Sequence, residues 1–169
     1  MTREEFIDIL KEKKYSYKIE GDKIIVTRKG NVDLRKLTSI PPGVVFENEG
    51  RVLLYSLTSL PPGVVFRNEG DIFLRDLTSL PPGVEFRNEG GVYLGALTSL
   101  PSGVVFRNEG YIYLSSLTSL PPGVEFNNRG YVRLVSLIGG DFNEWKGNIE
   151  GIDSKRLLNV MIKQGVFER

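Results

Sequence analysis

The sequence predicts a mainly β protein: a parallel β-solenoid of about six 20-residue coils with short parallel strands, capped by an N-terminal helix plus strand pair and by a C-terminal helix. Three observations carry this prediction. From Gly30 to Val135 the chain repeats every 20 residues on the frame G-x-V-x-L-x-x-L-T-S-L-P-P-G-V-x-F-x-N-E, with full copies beginning at Gly30, Gly50, Gly70, Gly90 and Gly110. Within each copy, V-x-L and V-x-F alternate apolar and variable residues, the period of a half-buried strand. Turn-forming residues separate the two segments, and all 9 Pro of the chain fall at one of the corners.

Residues 1–29 form the expected N-terminal cap. Thr2-Arg3-Glu4-Glu5 is a capping box with Met1 and Phe6 placed as its hydrophobic staple, which predicts a helix over 3–13. Phe6, Ile7, Ile9 and Leu10 then face the first coil. Strands over 15–19 and 23–27 follow around Gly21-Asp22, and Ile24-Ile25-Val26 falls in register with the V-x-F segment of the repeat.

Residues 30–138 form the repeats. Pro42-Gly43 and its copies suit a type II turn, with Pro setting φ at the second position and Gly supplying positive φ at the third; Ser102 replaces that Pro once. At the other corner, Asn48-Glu49-Gly50 and its copies place an Asn able to bond the backbone two residues on, then a Gly free to turn left-handed. Val52, Leu54, Leu57, Leu60, Val64 and Phe66, with their equivalents, point inward. One coil cannot bury them, so like stacks on like, about 4.8 Å apart, into a rod of roughly 25–30 Å. A sixth copy begins at Gly130 and fails at Ile138-Gly139-Gly140. Residues 139–169 read as the C-terminal cap of the same single domain. Asp153 starts a helix over 154–164, Gly165 stops it, and Leu157, Leu158, Met161 and Ile162, with Phe142 and Trp145, are expected to cover the last coil.

Composition narrows the chemistry. The 169 residues contain no Cys and no His, which removes disulfides, thiolate nucleophiles, the usual zinc ligands and any Ser-His or Cys-His couple. No apolar run is long enough to span a bilayer, and charges interrupt the first twenty residues where a signal peptide would be apolar. The expected address is the cytoplasm. The net charge of +1 suits neither a polyanion-binding domain nor an acidic mimic of nucleic acid. Residues 41–138 carry 7 basic and 9 acidic side chains, so nucleic acid is expected only within a nucleoprotein target. Glu85 and Glu125 stand two coils apart, about 10 Å, with Val105 between them; that exceeds the spacing of glycosidase carboxylate pairs. Arg67, Arg87 and Arg107 each precede a Glu by two residues and read as a solvated, self-neutralising ladder. Neither an enzyme nor a cofactor or metal is expected.

Information concentrates where the repeat is free to vary, at the second, fourth, sixth and seventh positions of each copy. Alternation sends these side chains out of one face of the rod, which holds five of the seven Tyr together with Phe73. The candidate partner-binding residues are Arg51, Tyr55, Phe73, Arg75, Tyr93, Tyr111, Tyr113, Tyr131 and Arg133, because Tyr supplies rigid apolar area with a polar tip and Arg makes bidentate bonds. The competing reading is that these rings stack from coil to coil and only stabilise the sheet.

The L-T-S-L-P-P-G segment resembles the short leucine-rich repeats of bacterial and phage proteins, and the 20-residue unit resembles a compact leucine-rich-like β-solenoid group; the resemblance covers residues 24–137. It departs from the leucine-rich consensus where Leu57, Leu77, Leu97 and Leu117 replace the ladder Asn, which favours a straighter rod over a horseshoe. A different Asn column, Asn48 through Asn128, stands at the opposite corner. The Tyr-rich face points to a non-enzymatic protein-binding module, monomeric or homodimeric, and the resemblance implies one of the kind phages use to inhibit a host enzyme or a defence complex such as a CRISPR effector. The alternatives are a structural protein that assembles through a coil edge and a nucleic-acid-binding solenoid.

Overall fold

A computed structural model describes residues 1–121, 123–134, 136 and 140–141. The chain is a parallel β-solenoid of about five turns with 20-residue spacing, preceded by one helix. Helix α1 (Arg3–Glu12) begins with the expected capping box: Thr2 Oγ1 accepts from the Glu5 N–H, and the Glu5 carboxylate accepts from the Thr2 N–H at 2.7 Å. Phe6 and Leu10 are fully buried against the first coil, and Ile7 and Ile9 pack beside them. Met1, expected opposite Phe6, stays exposed.

The helix ends one residue earlier than predicted, and the first strand starts two later. The Tyr15 N–H bonds the Leu10 carbonyl to close the helix, so Tyr15 belongs to the helix stop rather than to a strand. Strands β1 (Tyr17–Glu20) and β2 (Lys23–Val26) then form an antiparallel hairpin. Its two-residue loop has positive φ at Gly21 alone, the pattern of a type II′ turn.

Each coil then contributes one short strand to each of two sheets. The first sheet runs β1, β2, β4 (Val44–Phe46), β6 (Val65–Phe66), β8 (Glu85–Phe86), β10 (Val105–Phe106) and β12 (Glu125–Phe126). The second runs β3 (Val32–Asp33), β5 (Val52–Leu53), β7 (Ile72–Phe73), β9 (Val92–Tyr93), β11 (Ile112–Tyr113), β13 (Val132–Leu134) and β14 (Gly140–Asp141). All coil-to-coil pairing is parallel, in a register of 20 residues. Antiparallel strands close one end of each sheet, β1 on β2 and β14 on β13. The predicted 154–164 helix and the covering role of Phe142, Trp145, Leu157, Leu158, Met161 and Ile162 lie outside the described residues, as does Leu137, the sixth copy's equivalent of the inward Leu57.

Between the sheets the predicted inward residues form unbroken columns. Phe46, Phe66, Phe86, Phe106 and Phe126 stack with ring centroids 5.2–5.5 Å apart and nearly parallel planes. Each such pair adds about 0.5–1.5 kcal/mol beyond the burial itself. Leu57, Leu77, Leu97 and Leu117, where a horseshoe would carry Asn, are completely buried.

The two corners work differently. At the Pro-Gly corner, Gly43, Gly63, Gly83, Gly103 and Gly123 have φ of 72–81°, as a type II turn requires. At the Asn corners the expected left-handed Gly does not occur; only Gly30, whose corner carries Arg28 in place of Asn, has positive φ, and the later glycines serve another purpose. A Cβ on Gly50, Gly70, Gly90, Gly110 or Gly130 would fall 2.4–2.6 Å from the backbone of the preceding coil's Gly. Glycine is therefore required there by the close approach of two backbones. The Asn amides seal the contact: Asn68 Nδ2 donates to Gly70 O at 2.7 Å within its own coil and to Gly50 O at 3.1 Å in the coil before, and Asn48, Asn88 and Asn108 repeat the pair. Their Oδ1 atoms are buried without a hydrogen-bond partner, which reduces the net gain of each amide.

This difference between corners is testable by chemical denaturation. Gly83→Ala, with room for a methyl but a positive φ, should cost about 1 kcal/mol, whereas Gly90→Ala, which drives a methyl into backbone, should cost about 3 kcal/mol or more. Equal losses would refute the close-contact account.

Candidate functional site

The outward residue of each second-sheet strand occupies the fourth repeat position, and the parallel register places these residues directly over one another: Leu53 on Phe73, Phe73 on Tyr93, Tyr93 on Tyr113 and Tyr113 on Arg133. Phe73 and Tyr93 stack at 4.4 Å, and Tyr93 and Tyr113 at 4.5 Å, with planes within 12° of parallel. Tyr55 meets the edge of Phe73 at 6.0 Å. The predicted coil-to-coil stacking is therefore present, and it holds these rings half-buried.

A trough opens beside the stack. It is about 370 Å³ in volume and is lined by Tyr55, Phe73, Arg75, Tyr93, Gly95, Tyr113 and Ser115. Its origin lies in the sixth repeat position, which runs Arg35, Tyr55, Arg75, Gly95, Ser115: two large side chains form a wall and two small ones leave a floor. A methyl on Gly95 would meet nothing within 4 Å. Gly91 makes room in the other direction, because a Cβ there would lie 3.2 Å from the Tyr93 ring and 3.1 Å from Tyr111 O.

Five of the nine candidate residues, Tyr55, Phe73, Arg75, Tyr93 and Tyr113, thus share one trough. Tyr111 and Tyr131 form a second, more exposed pair, stacked at 5.2 Å and joined to the first through the Tyr111–Tyr113 edge contact at 6.3 Å. Arg51 lies 3.4 Å from Asp71 in the next coil, and Asp71 also accepts from the Gly91 N–H. Arg133 stands in register between Tyr113 and Asp141. Gly95, Ser115 and Asp71 were not among the predicted residues. The signal for the first two was the drop in size along the sixth position, visible in the sequence but overshadowed by the aromatic count.

The remaining outward features are ion pairs that differ from coil to coil and a threonine column. Arg67 reaches Glu47 at 3.4 Å and Arg129 reaches Glu109 at 2.9 Å, while Arg87 pairs with Glu85 in its own coil; such exposed pairs contribute little. Thr78 and Thr118 hydroxyls donate to the Thr carbonyls one coil earlier. Among the described residues no cluster of three or more Asp or Glu side chains is placed to hold a metal ion, and no helix is long and apolar enough to cross a membrane.

The chain is thus a tandem-repeat β-solenoid with an aromatic trough on its second sheet. No protein family, curated protein or solved structure matches it.

Burial in the stack, reinforced by the Asp71 carboxylate and by Tyr113, raises the Tyr93 phenol above its ordinary pKa. The folded state holds this proton more tightly than the unfolded chain does. The resulting stabilisation is complete below the ordinary tyrosine pKa and is lost as pH rises through the raised value. An ultraviolet titration of the wild type against Tyr93→Phe should therefore show Tyr93 ionising late; ionisation at or below the ordinary value would contradict the packing described.

Proposed function

We propose that this protein is a non-enzymatic binding module whose aromatic trough receives an apolar side chain of a protein partner. The single observation that supports this reading is the trough itself: large neighbours wall it, and Gly95 and Ser115, the small residues of the sixth position among the described coils, floor it. Its volume lies within the range of ligand pockets. Rigid aromatic area beside a reachable Arg is the composition of an interface hot spot. Arg75 is well exposed, 3.8 Å from Asp76, and stands at the rim to meet a carbonyl or carboxylate. Nucleic acid is less well served, because Phe73, Tyr93 and Tyr113 lie face to face and offer bases their edges rather than open faces. The lack of His and Cys argues against catalysis. With the resemblance to short bacterial and phage repeats, this reading extends to a cytoplasmic inhibitor that occupies a surface of a host enzyme or defence complex.

Removing rings is a poor test, since Tyr93→Ala with Tyr113→Ala also deletes the stack and should cost about 1–3 kcal/mol of stability. Filling the trough is cleaner. Gly95→Arg puts at the sixth position a residue that Arg35 and Arg75 already show the frame accepts. Affinity capture from native-host lysate should recover a partner with the wild type and lose it with Gly95→Arg at unchanged Tm. Identical captured proteins from both baits would overturn the proposal.

A further inference from the structure

The aromatic face has a charged end. Tyr15 lies along the open edge of β3, where its hydroxyl accepts from the Asp33 N–H at 3.1 Å. The Arg28 guanidinium sits 4.4 Å from the Tyr15 ring and the Lys13 ammonium 6.0 Å from it. Arg35 donates to the Asp33 carboxylate at 2.9 Å and lies 5.8 Å from the Tyr55 ring. From Tyr55 the contacts continue through Phe73 and Tyr93 to Tyr113. One unbroken run of contacts, through the Asp33 backbone and then side chain to side chain, therefore links the N-terminal cap to the trough.

The net positive charge falls away along that run. At the capped end Lys13, Arg28 and Arg35 outnumber Asp33, and Lys36, exposed at the seventh position of the first coil, adds to the excess. The middle is balanced, since Arg51 faces Asp71 and Arg75 faces Asp76. The trough beyond them is lined mainly by aromatic rings, and a cation, Arg133, follows in register past Tyr113.

We infer that the partner segment received by this face is bipolar, with acidic residues over the Lys13–Arg28–Arg35 end and its apolar side chain in the trough at Gly95. This rests on the proposed binding role and adds to it the partner's chemistry and orientation. From the Gly30 coil to the Gly110 coil is four coil steps, about 19 Å, the length of about six extended residues or thirteen helical ones. A short segment of one chain suffices to span it. The cationic end draws such a segment in and fixes its direction, while the trough supplies the apolar contact.

The test uses the full chain and two synthetic peptides. One carries three glutamates, a two-residue spacer and a Leu-Phe pair; the other has glutamine for each glutamate. In an amide NMR titration the acidic peptide should shift signals both at Lys13–Tyr15 and at Gly95–Ser115, and should bind about tenfold more tightly than the glutamine peptide, which should shift only the trough. Lys13→Glu with Lys36→Glu should remove that difference, and circular dichroism should report an unchanged fold. Equal binding of both peptides, or acidic binding that leaves Lys13–Tyr15 unmoved, overturns the charged half while trough binding persists. If neither peptide binds and the wild type still captures a partner that Gly95→Arg loses, the inference falls and the binding role stands; loss of both results removes both.

Discussion

The contact on which this architecture depends is the near-collision of backbones at the Asn corner. Because Gly50, Gly70, Gly90, Gly110 and Gly130 leave no space for a Cβ, each coil sits on the one before it with glycine over glycine. A slip by one residue would place a Glu, Arg, Asp or Tyr side chain into nearly every such contact. The Asn amides, each bonded to a carbonyl of its own coil and to one in the preceding coil, hold the same alignment from inside. Register is thus set by sterics at one corner rather than by the two-residue strands, which are too short to specify it.

Everything periodic follows from that alignment. Once the corner fixes a 20-residue step, Phe must fall on Phe and Leu on Leu, and the core becomes a set of columns rather than a packed mixture. The same rule acts on the outside, where it is indifferent to what it aligns. Tyr93 stacks on Tyr113 for the reason Phe86 stacks on Phe106, so stacking alone says nothing about use.

Most of this order was legible in the sequence because each part has a local cause. The Thr2–Glu5 capping box, the positive φ at the Pro-Gly corner and the inward apolar positions depend on residues near one another in the chain. What was misread depends on neighbours 20 residues away or on competition for one residue. Glycine at the Asn corner looked like a turn residue, and only the adjacent coil shows that it is a spacer. Tyr15 looked like the start of a strand, yet its N–H was already committed to ending the helix and its hydroxyl to the edge of β3. The aromatic face was visible as a list of outward residues, but the trough arises from absent side chains at Gly95 and Ser115, and absence is hard to see in a count of Tyr.

A lattice that repeats every coil offers a partner many equivalent placements and so specifies none. Specific recognition requires that translation along the rod be broken. The first sheet breaks it only in exposed charges, which contribute little: its outward column reads Val45, Val65, Glu85, Val105 and Glu125, and its ion pairs differ from coil to coil. The second sheet breaks it twice, once where cations at the cap give way to balanced pairs, and again where Arg75 gives way to Gly95. Two breaks on one face define both a position and a direction, the least that a one-dimensional scaffold needs to hold a partner in a single pose.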